Sequence, residues 1–197
     1  MGRLQELIEK IHVLESELAV EMQKKQEEFF YKIRGEKILF DEKTKQYHKT
    51  LVTGSYTYLW NAKTFNILTS PLIWFCLIPA LFLDLVATLY QFICFPPNNI
   101  PKVRRSNYII IDRFELEYLN ALEKVNCVYC SYFNGLMAYV QEIAGRTEQH
   151  YCPIKHARKV AAVHSRYKNF FEYGDADSYK KDVDKLREDF EDLKETE

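Results

Sequence analysis

Three cysteines and one histidine of this 197-residue chain have a spacing that could hold a metal ion. Cys127 and Cys130 form a C-x2-C pair, and Cys152 and His156, beginning 21 residues later, form a C-x3-H pair. Three thiolates and one imidazole make up the ligand set of a closed, tetrahedral structural zinc site. We therefore predict zinc at these four residues, with a single iron ion for electron transfer as the alternative metal.

Other interpretations of the same region stay open. The C-x2-C pair could act as a thiol-redox pair, or all four residues could be unliganded members of a helical core. Three further polar residues, Glu142, Glu148 and His150, are secondary candidates. Together with His156 they could serve an enzyme that acts on a membrane substrate.

The segments around this block are predicted to be helical. Asp112 begins a D-x-x-E pattern that is typical of a helix start, and Asn134-Gly135 is typical of a turn before a short helix that ends near residue 144. Pro153 suits the first position of a further helix. Cys152 would then cap that helix, at an end that favours the thiolate form needed for metal binding.

The middle of the chain is nearly free of charge. Asp84 is the one charged residue between Lys63 and Lys102, and residues 71–96 exceed the roughly 20 apolar residues that cross a bilayer. Aromatic residues lie near both ends of this stretch, as an interfacial belt requires. We predict a transmembrane helix at residues 71–96, kinked at Pro79.

Asp84 lies near the middle of the predicted span, where a carboxylate must be protonated, paired or turned toward a polar cavity. A functional interpretation makes it part of a proton or ion relay, or a polar contact with a second helix. A structural interpretation makes it a neutral side chain bonded to a backbone carbonyl or to Thr88.

Apolar residues at heptad spacing predict an amphipathic helix at each end of the chain, over residues 1–35 and over the acidic residues 166–197. These helices either lie on a larger body or pair as a coiled coil, within one chain or in a homodimer. The two stripes comprise Leu4, Leu7, Ile11, Leu14 and Leu18 at one end, and Tyr179, Val183, Leu186, Phe190 and Leu193 at the other.

The remaining segments complete a mainly α fold that is anchored in a membrane by one spanning helix or a helical hairpin. Residues 36–70 are predicted to be a connector with an interfacial or re-entrant part, and residues 97–165 a helical Cys/His module. Lys102, Arg104 and Arg105 directly follow the span and favour a cytoplasmic module. A net charge of -1 disfavours a nucleic-acid binder.

Two runs of the chain carry a resemblance to a known family: TSPLIWFCLIPALFLDLVATLYQFICFPPNNIPKVRRSNYIIIDR and NCVYCSYFNGLMAYVQEIAGRTEQHYCPIKHARK. Over about residues 51–160 the chain resembles an uncharacterised family of small bacterial membrane proteins, and CPIKHA is the most specific part of that resemblance. The resemblance implies a location in the bacterial inner membrane and adds no chemistry.

These patterns favour a membrane-anchored scaffold or interaction protein with a structural zinc module. The alternatives are a membrane-bound electron-transfer or thiol-redox protein, and an enzyme of membrane substrates.

Metal analysis of the purified protein separates these hypotheses. The zinc hypothesis predicts one zinc ion per chain in a colourless sample, and loss of that zinc in Cys127→Ser, because three of the four ligands are thiolates. Bound iron with visible absorption would favour electron transfer. A metal-free sample in which Cys127→Ser behaves like the wild type would contradict the site.

Overall fold

The computed structural model describes residues 3–34 and 37–194, and it is mainly helical, as predicted. The chain divides into two compact units, residues 1–60 with 112–125, and residues 61–111 with 126–197. The helices and strands are α1 (Arg3–Glu28), β1 (Tyr31–Arg34), β2 (Lys37–Phe40), α2 (Glu42–Thr50), α3 (Ser55–Asn61), α4 (Thr64–Phe75), α5 (Leu77–Cys94), α6 (Ala121–Tyr151), α7 (Ala176–Glu188) and α8 (Glu191–Lys194).

The first helix is shorter than predicted. It ends at Glu28 and does not continue to Gly35, because β1 and β2 follow it as an antiparallel hairpin in which Tyr31 pairs with Phe40. Phe30 adopts a positive φ of 55° and ends the helical path. β-Branched and aromatic residues favour a strand here over the heptad pattern that runs into them.

The heptad stripe of α1 lies on the surface where its side chains are described. Leu14 is 62% exposed and Leu18 is 61% exposed. The predicted stripe residues Leu4, Leu7 and Ile11 lie outside the described side chains. The stripe is therefore an apolar helix surface, and its role in pairing stays a prediction.

The start of α6 also differs from the prediction. A capping box forms between Asn120 and Glu123: the side chain of Asn120 accepts from the Glu123 N–H at 3.0 Å, and the Glu123 carboxylate accepts from the Asn120 N–H at 2.9 Å. Asp112 instead precedes a short 3-10 turn, Arg113–Glu115. The predicted D-x-x-E start at Asp112 is therefore wrong, and the N-x-x-E sequence from Asn120 to Glu123 begins the helix instead.

The candidate membrane helix is made of α4 and α5. Among the described residues, Thr64–Cys94 is the one helix long and apolar enough to cross a membrane, and 11% of its most apolar 18-residue window is buried. It begins before the predicted residue 71. The helix breaks at Cys76, just before Pro79, because a proline ring conflicts with the carbonyl four residues earlier.

The core of the second unit is built mainly from α5, residues 126–151 of α6 and the chain directly after α5. Residues 95–111, here named the return segment, run antiparallel to α5, since Val103 bonds to Gln91 and Arg105 to Asp84. Side-chain bonds at successive levels of α5 and α6 show that these helices run in the same direction. The shared core contains Ala80, Ala87, Phe95, Ile100, Val103, Leu136, Tyr139, Ile143 and Phe190.

The predicted turn at Asn134-Gly135 is wrong, because both residues lie inside the 31-residue helix α6. A Cβ atom on Gly135 would lie 2.6 Å from the carbonyl oxygen of Tyr108 and 2.8 Å from the Cα of Ile109. Gly135 therefore lets the return segment approach α6 closely.

The C-terminal stripe packs on the body of its own unit, as one of the two interpretations predicts. Asp175 caps α7 by accepting from the Ser178 N–H at 3.1 Å. Val183 and Phe190 are buried, and Leu193 packs against the shared core.

Substitution of Gly135 tests the close approach. Gly135→Ala should lower the free energy of unfolding by about 1–3 kcal/mol, because the added methyl group overpacks against backbone atoms. Thermal or denaturant unfolding followed by circular dichroism measures the effect. Gly54→Ala is the matched control, since the nearest atom to its Cβ is 3.9 Å away. Equal stability of the two variants would contradict the packing.

Candidate functional site

The four predicted metal ligands lie on α6 or directly after it. Cys127 and Cys130 are one turn apart within the helix, whereas Cys152 follows its last residue. The helical rise over the 22 positions from Cys130 to Cys152 separates them by about 33 Å. A tetrahedral site needs every ligand within about 2.3 Å of the ion. The structure therefore does not bring these residues together, and one ion cannot bind all four while α6 is intact.

Cys152 is not a helix N-cap. Its N–H donates to the Glu148 carbonyl at 2.7 Å, so it belongs to the C-terminal turn of α6. The helix predicted to begin at Pro153 is wrong, since Ile154 forms an isolated parallel bridge with Phe171. The dipole argument for a metal-binding thiolate at Cys152 does not apply.

His156 has aromatic and backbone contacts. Its N–H donates to the hydroxyl of Tyr167 at 2.8 Å, and its ring stacks on the same tyrosine. Among the described residues, no group of three or more His, Cys, Asp and Glu side chains could hold a metal ion. Zinc or iron binding stays a prediction that requires ligands from a second chain or an opened α6.

Glu142 is buried and fully engaged. Its two oxygens accept from the Arg146 guanidinium at 3.0 Å and from the Ser165 hydroxyl at 2.7 Å. Arg146 also donates to the carbonyls of Pro101 and Lys102, at 2.9 and 3.2 Å. This network binds the return segment to α6, which is a structural role.

The other two secondary candidates have separate partners. Glu148 lies 2.9 Å from the Nε2 atom of His164, whose ring packs directly over Gly145. His150 packs edge-on against Tyr151. The three secondary candidates therefore do not form a common acid–base site.

A buried arginine is a feature that the sequence analysis missed. Arg166 is 1% exposed and donates to the Gln149 side chain at 2.6 Å, the Asp192 carboxylate at 2.5 Å and the Asp189 carbonyl at 3.1 Å. The Gln149 amide donates to the carbonyls of Leu186 and Asp189, at 2.9 and 2.6 Å. These bonds hold the C-terminal helices on α6. Arg166 sits in a polar run without a motif, so no sequence signal could have shown it.

Asp84 is paired, which is one of the three states predicted for it. Its carboxylate accepts from the Arg105 guanidinium at 2.6 Å, the Tyr132 hydroxyl at 2.9 Å and the Thr88 hydroxyl at 3.3 Å. The side chain of Asp84 is 13% exposed and that of Arg105 is 48% exposed. The basic partner lies outside the apolar stretch, 21 residues along the chain from Asp84.

The polar face of α5 continues from this cluster. The Thr88 hydroxyl lies 3.4 Å from the Tyr139 hydroxyl, which also accepts from the Gln91 amide. Gln91 in turn accepts from the Val103 N–H at 2.9 Å. A continuous row of polar contacts therefore joins α5 to α6 and to the return segment.

Two groups that bond to Asp84 have raised pKa values. The hydrogen bond to Asp84 raises the pKa of the Arg105 guanidinium above its usual value. Burial, followed by the bond to Asp84, raises the pKa of the Tyr132 hydroxyl. Arg105 stays charged and Tyr132 stays a donor near neutral pH, so the geometry favours a permanent ion pair over a proton relay.

The comparisons with family models, curated proteins and solved structures found no match. The resemblance to small bacterial membrane proteins therefore stays an expectation. The functional argument rests on the residues of this chain.

A double-mutant cycle tests the ion pair. Asp84→Leu should lower the free energy of unfolding by about 2 kcal/mol, because it leaves Arg105 and Tyr132 without their acceptor. Membrane association should be unchanged, since the added side chain is apolar.

The cycle is completed by the single variant Arg105→Leu and by the double variant Asp84→Leu/Arg105→Leu, which removes both charges. The double variant should unfold at higher denaturant concentration than the sum of the two single losses implies. Strict additivity would show that the residues do not stabilise each other.

Proposed function

We propose that this chain is a membrane-anchored interaction protein, in which Thr64–Cys94 holds the protein on a bilayer and the water-facing helices form a scaffold for partner proteins. The exposure of that helix carries the proposal. The location proposed is the bacterial inner membrane, with residues 97–165 on the cytoplasmic side.

The apolar surface of the anchor is long and continuous. A core helix of a soluble protein would be mostly buried, whereas 11% of the most apolar window of this helix is buried. Contiguous apolar patches of this extent mark interaction or membrane surfaces. The exposed large side chains are Phe65, Ile67, Leu68, Leu72, Ile73, Phe75, Ile78, Leu81, Phe82, Leu83, Leu85, Val86, Leu89, Phe92 and Ile93.

The scaffold role is supported by how the polar residues are used. Glu142, Arg146 and Arg166 are buried, and their hydrogen bonds hold the second unit together. Groups whose hydrogen bonds are all made within the protein favour a structural role over acid–base chemistry. The exposed stripe of α1, with Leu14 and Leu18, offers a contact for a partner helix or a second copy of this chain.

The alternatives have less geometric support. An intrachain zinc centre is not part of this proposal, because α6 separates its half-sites. Electron transfer or thiol redox would depend on Cys127 and Cys130, the first half-buried and the second exposed, one turn apart on α6. Such a pair on one helix needs further ligands to hold a metal.

Charges placed on the anchor test the membrane proposal. The wild type should remain in the membrane fraction through a high-salt wash, which removes proteins held by charge alone. Phe82→Asp/Leu89→Asp should move to the soluble fraction, because each Asp replaces an apolar contact with lipid by a charge, which costs up to about 2.5–3.5 kcal/mol at the centre of a membrane helix.

The matched control is Tyr47→Asp/Tyr173→Asp, which changes two aromatic residues outside the anchor that are 62% and 69% exposed. This variant should fractionate like the wild type. A wild type that is found in the soluble fraction would overturn the proposal.

A further inference from the structure

We propose that Thr64–Cys94 lies in the plane of one membrane leaflet with anionic headgroups, and does not cross the bilayer. This inference rests on the membrane anchoring proposed above and specifies its geometry. Three observations support it: the two-sided character of α5, the polar turn of the return segment beside its middle, and the net positive charge of residues 61–111.

One face of α5 packs against the rest of the second unit, and the opposite face is exposed. On the packed face, Ala80, Ala87 and Gln91 are buried, and Asp84 and Thr88 form hydrogen bonds with α6. At 100° per residue, the side opposite this face carries large exposed side chains. These are Phe82, Val86, Leu89 and Ile93 on α5, continued by Leu68 and Phe75 on α4.

The return segment makes a crossing orientation costly. Asp84 lies five residues from the midpoint of Thr64–Cys94, so a crossing helix would place it within about 8 Å of the bilayer centre. The 2.6 Å bond to Arg105 would place the turn Arg105–Asn107 at that same depth.

That turn is exposed and polar. Arg104, Arg105, Ser106 and Asn107 are all exposed, and the backbone there is a 3-10 turn between irregular residues. Irregular backbone exposed to lipid does not occur within the hydrocarbon region, because its polar groups have no water to bind. If the helix lies in the membrane plane, its exposed apolar face enters the lipid, and the return segment on its other side faces water. The irregular backbone of Arg105–Asn107 is then outside the hydrocarbon region.

The charges near the helix suit an anionic surface. Within residues 61–111 the cations are Lys63, Lys102, Arg104 and Arg105, and the one anion is Asp84, for a net charge of +3. The Lys102 ammonium lies 4.4 Å from the ring centroid of Phe92, whose side chain is 65% exposed. A cation at the edge of the apolar surface can bind lipid phosphate while the ring enters the acyl boundary.

Depth measurements along the helix distinguish the two orientations. Three single-tryptophan variants, Leu68→Trp, Phe82→Trp and Ile93→Trp, are made in the full chain with Trp60→Phe and Trp74→Phe. All three positions are exposed, at 76%, 67% and 64%. Each variant is reconstituted in vesicles of phosphatidylcholine and phosphatidylglycerol that contain lipids brominated at defined acyl depths.

The in-plane geometry predicts equal depths at the three positions. A crossing helix would place position 82 more than about 10 Å deeper than positions 68 and 93, because these lie 14 and 11 residues away along the axis. That gradient would overturn this inference and leave the membrane anchor intact. Absence of quenching at all three positions would instead overturn the membrane anchor itself. The same result is expected if a second copy of the chain covers the exposed apolar face of the helix.

Vesicle charge provides the second measurement. Lys102→Gln/Arg104→Gln should bind vesicles containing phosphatidylglycerol about 25-fold more weakly, at about fivefold per cation. Its binding to neutral phosphatidylcholine vesicles should match that of the parent protein. An equal loss on both vesicle types would overturn the anionic-lipid part of the inference.

Discussion

The carboxylate of Asp84 accepts hydrogen bonds from three parts of the chain: Thr88 of its own helix, Arg105 of the return segment and Tyr132 of α6. A charge on an otherwise apolar helix is costly unless it is paired and fully bonded. That requirement fixes the rotation of α5, the register of the return segment and the level of α6. The core from Ala80 to Phe190 assembles around these constraints.

A second polar network secures the far end of α6. Glu142 and Arg146 hold the middle of the return segment, while Gln149 and Arg166 hold α7 and α8. Each guanidinium is almost fully buried, and its several donors meet carbonyl and carboxylate oxygens in fixed directions. Lysine could not satisfy so many acceptors from a single point charge. The polar residues of this region therefore act as connectors between segments.

Periodicity and composition predicted the helical class, the apolar segment and the need of Asp84 for a partner, because these are properties of local sequence. They did not identify Arg105, since its position depends on the chain reversing after Phe95. The zinc prediction illustrates the same limit: ligand spacing shows a site only if the intervening chain folds back, and α6 runs straight from Cys130 to Tyr151. Gly135 was misread because a glycine needed for close packing and one needed for a turn look alike in a single sequence.

The positions of Arg105 and Tyr132 along the chain also set the order in which they can pair with Asp84 during synthesis. Arg105 is made 21 residues after Asp84, and Tyr132 48 residues after it. At about 5–20 residues per second, the interval before Tyr132 appears is about 2–10 s. Until Arg105 is made, the nascent helix α5 has an unpaired carboxylate on one side and an exposed apolar surface on the other. The early availability of Arg105 allows the charge to be neutralised while most of α6 has yet to be translated.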